Sequence, residues 1–532
     1  MTGEEGARGG TTGSPALLRP FHQASWNEPV ILELSNPGER GIIPPEVEDE
    51  IVAAVGDGLS HVPAALRRSE PPGLPELSQP HVLRHYLRLS QETLGGDVNI
   101  HVGLGTCTMK YSPKVNQELI RSPKVADLHP LQDDETVQGI LELFHRFERA
   151  LCAISGMDRF SFQPAGGSQA VYANARMIRA YHEARGEAHR DEIITTIFSH
   201  PCDAAGPAVA GFKVITLYPT ERGYPDLEAV KAAVSERTAG LMIANPEDTG
   251  IFNPEIDRIV ELVHEAGGIC HYDQANANGI LGITRARDAG FDLCQFNLHK
   301  TFSSPHCSMG MPVGAAGVTE ELARFLPAPT VEVDGSGRYY LDYDRPHSIG
   351  TVRAFHGVPA TVVRSYAWVL SLGAEGLRQV AETAVLNNNY LAKKVSEIPG
   401  FAVSYPENTD RRLEQIRYSL AKLQEDTGIG TLDVNARTAD FGVSQYFPSH
   451  HPWLVPEPMT LEPSETYSQS DLDTYAAILA QISREAHEDP ELVRSAPHRS
   501  TIHKLDEDAL EDPGRRATTW RAYRRKVLGE PR

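Results

Sequence analysis

The sequence predicts an α/β protein, with a large domain built on a mostly parallel sheet and a smaller C-terminal α+β domain. Two observations carry this. From about residue 156, short apolar runs rich in β-branched residues alternate with helical patterns. Such an alternation buries each strand on both faces, as parallel strands joined by crossover helices require. After about residue 325 the alternation stops and the composition changes. At 532 residues the chain is also too long for one ordinary core, so two or more structural units are expected.

Taken in order, residues 1–27 are rich in Gly, Thr and Glu and are expected to form a disordered tail. The segment 28–130 is broken by prolines, among them Pro44-Pro45 and Pro71-Pro72, and is expected to wrap over other surfaces. Within it, Val30-Ile-Leu-Glu-Leu34 reads as a strand, and 81–91 as a helix with Val82, Tyr86 and Leu89 on one face. Residues 103–113 read as a loop dense in glycine and hydroxyls.

The large domain is expected over 131–325. Asp133 or Asp134 is placed to cap a long helix carrying Val137, Ile140, Phe144, Phe147 and Leu151 at helical spacing. Strands are expected near 160–162, 193–198, 214–217, 241–244 and 269–272, and one from Phe291 that ends in His299-Lys300-Thr301. A helix of about 18 residues follows Gly166-Gly167-Ser168-Gln169, and another spans 254–264. The small domain, 326–505, opens with an acidic, aromatic hairpin or lid over 332–345. Helices at 358–374 and 376–397 and a strand near 402–404 follow, and 506–532 is a polar, basic tail.

Composition excludes several classes. A net charge of -21 argues against nucleic acid and anionic membrane as partners. The six cysteines are scattered without a Cys-x-x-Cys pair, which argues against a disulfide scaffold or zinc ribbon, and no metal site is expected. No apolar run approaches the ~18 residues of a membrane span. Residues 1–13 are small, polar and acidic, unlike a secretory signal or transit peptide, so a cytoplasmic location is expected.

The expected strand ends deliver Gly167-Ser168, His200, Asn245, Asp273 and Lys300, and ligands of such sheets bind beyond the carboxyl ends of the strands. Alone, Lys300 reads as a lysine reaching water past a strand. Beside Asp273 it suggests pyridoxal phosphate. That cofactor needs an amine for its aldehyde and a carboxylate for its ring nitrogen. It also needs backbone N–H groups at a helix N-terminus for its phosphate, and a flat group on its ring face. Lys300 and Asp273 fill the first two roles. Gly166, Gly167, Ser168 and Gln169 suit the phosphate, with Thr301 adding a hydrogen bond, and His200 suits the ring. Each has a plain alternative: Asp273 a helix cap, His200 a core histidine, Gly166-Gly167 a turn. Asn245, Gln274, Ala275 and His299 complete the expected cofactor-binding set. Thr106, Cys107, His306 and Arg353 are the substrate candidates.

Several long strings also resemble one family. These include Glu33-Leu-Ser-Asn-Pro-Gly38, Arg84-His-Tyr-Leu-Arg-Leu-Ser-Gln91, Leu104-Gly-Thr-Cys-Thr-Met-Lys-Tyr111, Asp273-Gln-Ala-Asn276, Asn297-Leu-His-Lys-Thr-Phe302 and Ala496-Pro-His498. They resemble subunit 2 of the glycine decarboxylase P-protein (glycine dehydrogenase, aminomethyl-transferring), nearly end to end. The resemblance implies a fold-type-I, aminotransferase-like enzyme that uses pyridoxal phosphate. By position it makes Lys300 the lysine that carries the cofactor, Asp273 the partner of its ring nitrogen, His200 the ring-stacking histidine and Thr301 a phosphate ligand. It further implies decarboxylation of glycine with aminomethyl transfer to the lipoyl group of an H-protein. A separate subunit 1, and a dimer or heterotetramer, come with it.

The chain departs from the family pattern near the expected site. Cys307-Ser-Met-Gly-Met-Pro312 stands where the family has a run of glycines, Ser199-His-Pro-Cys-Asp-Ala204 keeps only the histidine of Ala-His-Gly-Thr-Asn-Pro, and Gln274 replaces a usual glycine. Two other readings therefore stay open. One is a paralogous decarboxylase, Cα–Cβ lyase or transaminase acting on another amino acid. The other is a non-catalytic regulatory subunit, against which Lys300 and Asp273 both count.

Overall fold

The structure is a computed structural model describing residues 18–531, apart from 57, 307–310, 444–446, 451–453, 502, 503 and 505. Its contacts divide the chain into two units, Met1–Arg19 with Gly96–Ser495, and Pro20–Gly95 with Ala496–Arg532.

The larger unit is organised by a seven-stranded sheet: β1 (Arg159–Ser161), β2 (Glu192–Thr196), β3 (Lys213–Leu217), β4 (Thr238–Ala244), β5 (Ile269–Gln274), β6 (Leu293–Asn297) and β7 (Gly314–Val318). Their order is β1-β7-β6-β5-β4-β2-β3. Pairing is parallel from β3 through β6, and β7 runs antiparallel to both neighbours. Helices between the strands cover both faces, so β5 and β6 are buried along their whole length. Their apolar side chains divide between two cores: Tyr272 and Phe296 pack with Phe147, Phe162 and Trp368, while Ile269 and Leu293 pack with Met177 and Phe325. Every expected strand of this sheet is present, because each combines β-branched or aromatic residues with burial on both faces.

A smaller layer follows: β8 (Thr330–Val333) and β9 (Tyr339–Asp342) form the hairpin expected over 332–345. β10 (Ala402–Val403), β11 (Ile416–Ser419) and β12 (Pro458–Leu461) form an antiparallel sheet packed against the helix Gln469–Glu488. The two long helices expected here are one run, Pro359–Val395, broken at Gly373, where φ is +62°.

The second unit is built on the helix Gln79–Gln91, whose His85 and Arg88 pair with Glu28 at 2.9 and 3.1 Å. Four sequence expectations change. Residues 31–34 form a 3-10 turn rather than a strand: Val30 N donates to Glu33 Oε2 at 3.1 Å, and among the described residues no strand pairs with it. The tail expected to be disordered through residue 27 is packed at Gln23, which is buried and accepts from Ser500 Oγ and Thr501 N, both at 2.9 Å. In the larger unit, Asp133 caps only a 3-10 turn, and the long helix runs Gln138–Ser155. The Gly-rich loop begins as a 3-10 helix, His101–Cys107. Among the described residues no helix is long and apolar enough to cross a membrane.

Candidate functional site

β6 ends at Asn297, and Lys300 lies three residues beyond it, in a turn rather than on the strand. Lys300 N donates to Asn297 O and Ser303 N to Lys300 O, both at 3.1 Å, and Ser303 takes a positive φ of 61° to close the turn. The lysine is only 8% exposed. This tight turn points an amine inward from a fully buried strand.

Asp273 sits near the end of β5, 5% exposed, in register with Gln295 of β6. Its Oδ1 accepts from Ala275 N at 2.8 Å and from Gln295 Nε2. Burial pushes this carboxyl above its usual range, while the Ala275 N–H, the Lys300 ammonium and the Gln295 amide pull the other way. The result is a desolvated carboxyl group held by two N–H donors and the Lys300 charge.

The glycine loop lies against the end of β6. Gly166 has φ +113° and begins the helix Gly167–Ala184. A methyl added at Gly166 would stand 3.4 Å from Pro312 Cβ and 4.0 Å from His299 Cε1. Only glycine leaves the helix N-terminus open here, and such an end receives anions. The Gln169 side chain is occupied: it accepts from Ala165 N at 2.6 Å and donates to Val352 O at 2.8 Å. Ser168 is exposed and reaches Cys202. Thr301, buried, accepts from Ala277 N at 2.9 Å, which fixes the chain after β5 and leaves its own O–H to donate.

The Lys300 ammonium also acts on His299, His306 and Cys107. His299 is held down to about 3 by burial first, then by Lys300 and His306. His306 is held down to about 4 by burial, then by Lys300. Both imidazoles are therefore neutral, and their rings lie 5.3 Å apart. Burial pushes the Cys107 thiol up, so it stays protonated. Arg353 Nη1, His299 Nδ1 and Gln274 Oε1 are buried with no hydrogen-bond partner among the described residues. Ala275 is partly buried beside Asp273. The backbone of Thr106 lies in the 3-10 helix, and the loop Cys307–Gly310 falls outside the described residues.

Two expected residues are placed differently. The Asn245 amide is spent on the backbone of Asn253, donating at 3.2 Å and accepting at 2.8 Å, so it clips the chain after β4 instead of facing the site. His200 follows β2 by four residues; its ring meets His450 edge-on at 4.6 Å, and its Nδ1 lies 2.9 Å from Cys202 Sγ.

Three site residues escaped sequence reasoning. Glu462, 2% exposed, accepts from Thr108 N at 3.1 Å, Thr108 Oγ1 at 2.8 Å and Asn276 Nδ2 at 2.8 Å. Burial raises its carboxyl to about 7, against those bonds and the Lys300 ammonium. It follows the apolar end of β12, the same pattern that marked Asp273. Arg417 and Asp248 form a buried pair at 3.0 Å, with His450 Nδ1 at 3.4 Å from the same oxygen. A cavity of about 810 Å³ opens beside His306 and Pro305, lined also by Lys110, Tyr111 and Tyr467 but not by Lys300 or Asp273.

Chemically, the site joins a buried amine, a desolvated carboxyl group, a helix N-terminus and buried polar atoms without partners among the described residues. Comparison with known proteins gives this arrangement a context. A family model described as glycine dehydrogenase, C-terminal domain, matches residues 380–499, and one described as aminotransferase class-V matches residues 168–427. The probable glycine dehydrogenase (decarboxylating) subunit 2 of Pyrococcus abyssi is 45% identical over 514 residues, covering 96% of this chain and 99% of its own. The corresponding protein of Caldanaerobacter subterraneus is 44% identical, covering 90% and 96%. Among solved structures, an inhibitor-bound glycine decarboxylase (P-protein) of the glycine cleavage system overlays with a TM-score of 0.69 at 20% identity, covering 83% of this chain and 100% of that one. A cysteine desulfurase from Thermococcus onnurineus overlays at 0.56 and 14% identity, covering 73% and 95%. At such identities the overlays speak for the fold alone, an aminotransferase-like one.

Proposed function

The chain belongs to the family of glycine dehydrogenase (decarboxylating) subunit 2, and from that premise we propose that it decarboxylates glycine with pyridoxal phosphate and passes the aminomethyl group to a lipoyl carrier. The observation that carries the reading is the burial of Lys300 beside Asp273, a carboxylate whose environment calls for a cation. The subunit 2 name of the relatives supports a separate subunit 1. A lipoylated H-protein, a dimeric or heterotetrameric assembly and a cytoplasmic location belong to the same proposal.

The residues present suit the cofactor. Lys300 is the amine for its aldehyde, and Asp273 the anion for its ring nitrogen. Gly166 and Gly167 open a helix N-terminus to its phosphate, and Thr301, which accepts from Ala277 N, keeps its own O–H to donate. Gln274 Oε1 and His299 Nδ1 are buried polar atoms still without partners. When bound, pyridoxal phosphate supplies an electron sink for the pair left on the α-carbon as CO2 departs.

The chain's own groups do the rest. Asp273, whose Oδ1 accepts from Ala275 N and Gln295 Nε2, would be the anion that favours a protonated ring nitrogen on the cofactor. Glycine offers only an amino group and a carboxylate as handles. Arg353, with Nη1 unpaired, is the donor for that carboxylate, and Lys300 Nζ exchanges protons with the amine. His200, four residues past β2, would supply the flat group for the cofactor's ring face. His299 and His306 are neutral and the Cys107 thiol is protonated, so these three add no charge of their own around the substrate carboxylate.

Exchange of labelled bicarbonate into glycine, measured with subunit 1 and lipoylated H-protein added, tests the reading. Exchange that requires Lys300 is expected. Bound pyridoxal phosphate without exchange would point instead to a paralogue with another substrate.

A further inference from the structure

Asp203 is the least explained side chain near the site. It is fully buried in the helix Cys202–Val209, and neither carboxylate oxygen receives a hydrogen bond from any described residue. The nearest backbone N–H, that of His200, leans on the carboxylate without closing a bond. One Asp203 oxygen, one Asp273 oxygen and Cys202 Sγ all lie within 4.8 Å of one another. Asp273 already has two N–H donors and Asp203 has none among the described residues, and two ionised carboxylates this close in a dry interior repel strongly. The carboxyl group without a donor resolves this by keeping its proton and becoming a donor itself.

We propose that Asp203 is a positioning residue for Asp273: it remains a neutral acid, donates its O–H to the Asp273 carboxylate, and thereby sets the orientation and basicity of the group that faces the cofactor's ring nitrogen. The proposal rests on the reading of Asp273 given above. Its surroundings agree. Asp203 is pushed well above the usual carboxylate range by burial, then by the nearby Asp273 carboxylate, then by Asp248 from the loop after β4. On its own element it neighbours Cys202, whose thiol burial likewise keeps protonated, with His200 just before the helix. Lys300, from the turn after β6, acts on Asp273 and Cys202 and favours placing the single negative charge of the pair on Asp273. An acid–carboxylate pair of this kind divides one proton between two oxygens and makes Asp273 a weaker base than a lone buried aspartate.

The test uses the full chain, first without cofactor. Folding of the wild type takes up a proton at neutral pH, so its unfolding equilibrium gains about tenfold per pH unit relative to Asp203→Asn, which has nothing to titrate there. The melting temperature of Asp203→Asn relative to wild type therefore rises with pH above the ordinary aspartate range of about 4. A gap that does not change with pH overturns the proposal. So does a gap abolished by chelation with one divalent cation recovered per chain, since an ion would then be holding the pair. In the cofactor-loaded protein, Asp203→Ala is expected to shift the pH midpoint of the visible absorbance band. Asp203→Asn, which supplies an N–H in place of the O–H, returns the midpoint. An Ala variant with the wild-type midpoint contradicts the proposal. Should no coloured complex form at all, the cofactor reading fails, while the cofactor-free titration still decides the state of Asp203.

Discussion

Asp273 and Gln295 face each other in register across β5 and β6, and the Gln295 amide donates to Asp273 Oδ1. The sheet itself thus delivers the donor that keeps the site's carboxylate ionised. Gln295→Leu removes that donor but also removes Gln295 Oε1, a buried acceptor without a partner. The two changes offset in stability. Cofactor affinity has no such offset: it falls by roughly tenfold, as loss of a hydrogen bond to a charged group implies. Spectrophotometric titration of the cofactor-free variant with pyridoxal phosphate, alongside its melting curve, checks both halves.

Gly166 holds φ +113° at the mouth of the helix Gly167–Ala184. Gly166→Ala forces a methyl toward Pro312 and His299 in a backbone region that other residues avoid, at a cost of about 1–3 kcal/mol. The rise in melting temperature on adding pyridoxal phosphate shrinks as well, because the open N-terminus is lost. An unchanged rise would remove the loop from the phosphate site.

Glu462 gives a pH signature. Its carboxyl is raised to about 7 in the folded chain, chiefly by burial, from an ordinary value of 4.5. Folding therefore takes up a proton between those values, and the wild type loses stability as pH rises through that window, with no further loss above it. Glu462→Gln does not titrate, so its advantage grows from about pH 4.5 to about pH 7, up to roughly 3 kcal/mol, and is then flat. Melting temperatures across that range provide the check, and a parallel offset at every pH would mean Glu462 is ionised throughout.

The sheet was legible in the sequence because each of its strands is an apolar run buried on both faces, a pattern that survives without long-range information. Lys300, Asp273 and the Gly166 loop were legible for the same reason: they stand where those runs end. The Asn245 amide met the same rule and yet serves Asn253, since a strand-end position does not reveal which neighbour a side chain will reach. The segment 31–34 misled because a short run of three apolar residues around Glu33 suits a 3-10 turn as well as a strand, and only a partner strand decides between them. Asp203, Gln295 and Glu462 stayed hidden because their importance lies in cross-strand register and in contacts across hundreds of residues, such as Thr108 with Glu462.

The central claim is that Lys300 carries the cofactor beside Asp273. Loading the protein with pyridoxal phosphate, reducing it with borohydride and mapping its peptides by mass spectrometry tests this directly. The account predicts the added cofactor mass on the peptide containing Lys300, and none in Lys300→Ala. The mass on another lysine, with Lys110 the buried competitor bonded to Asn278 and Glu465, would contradict it.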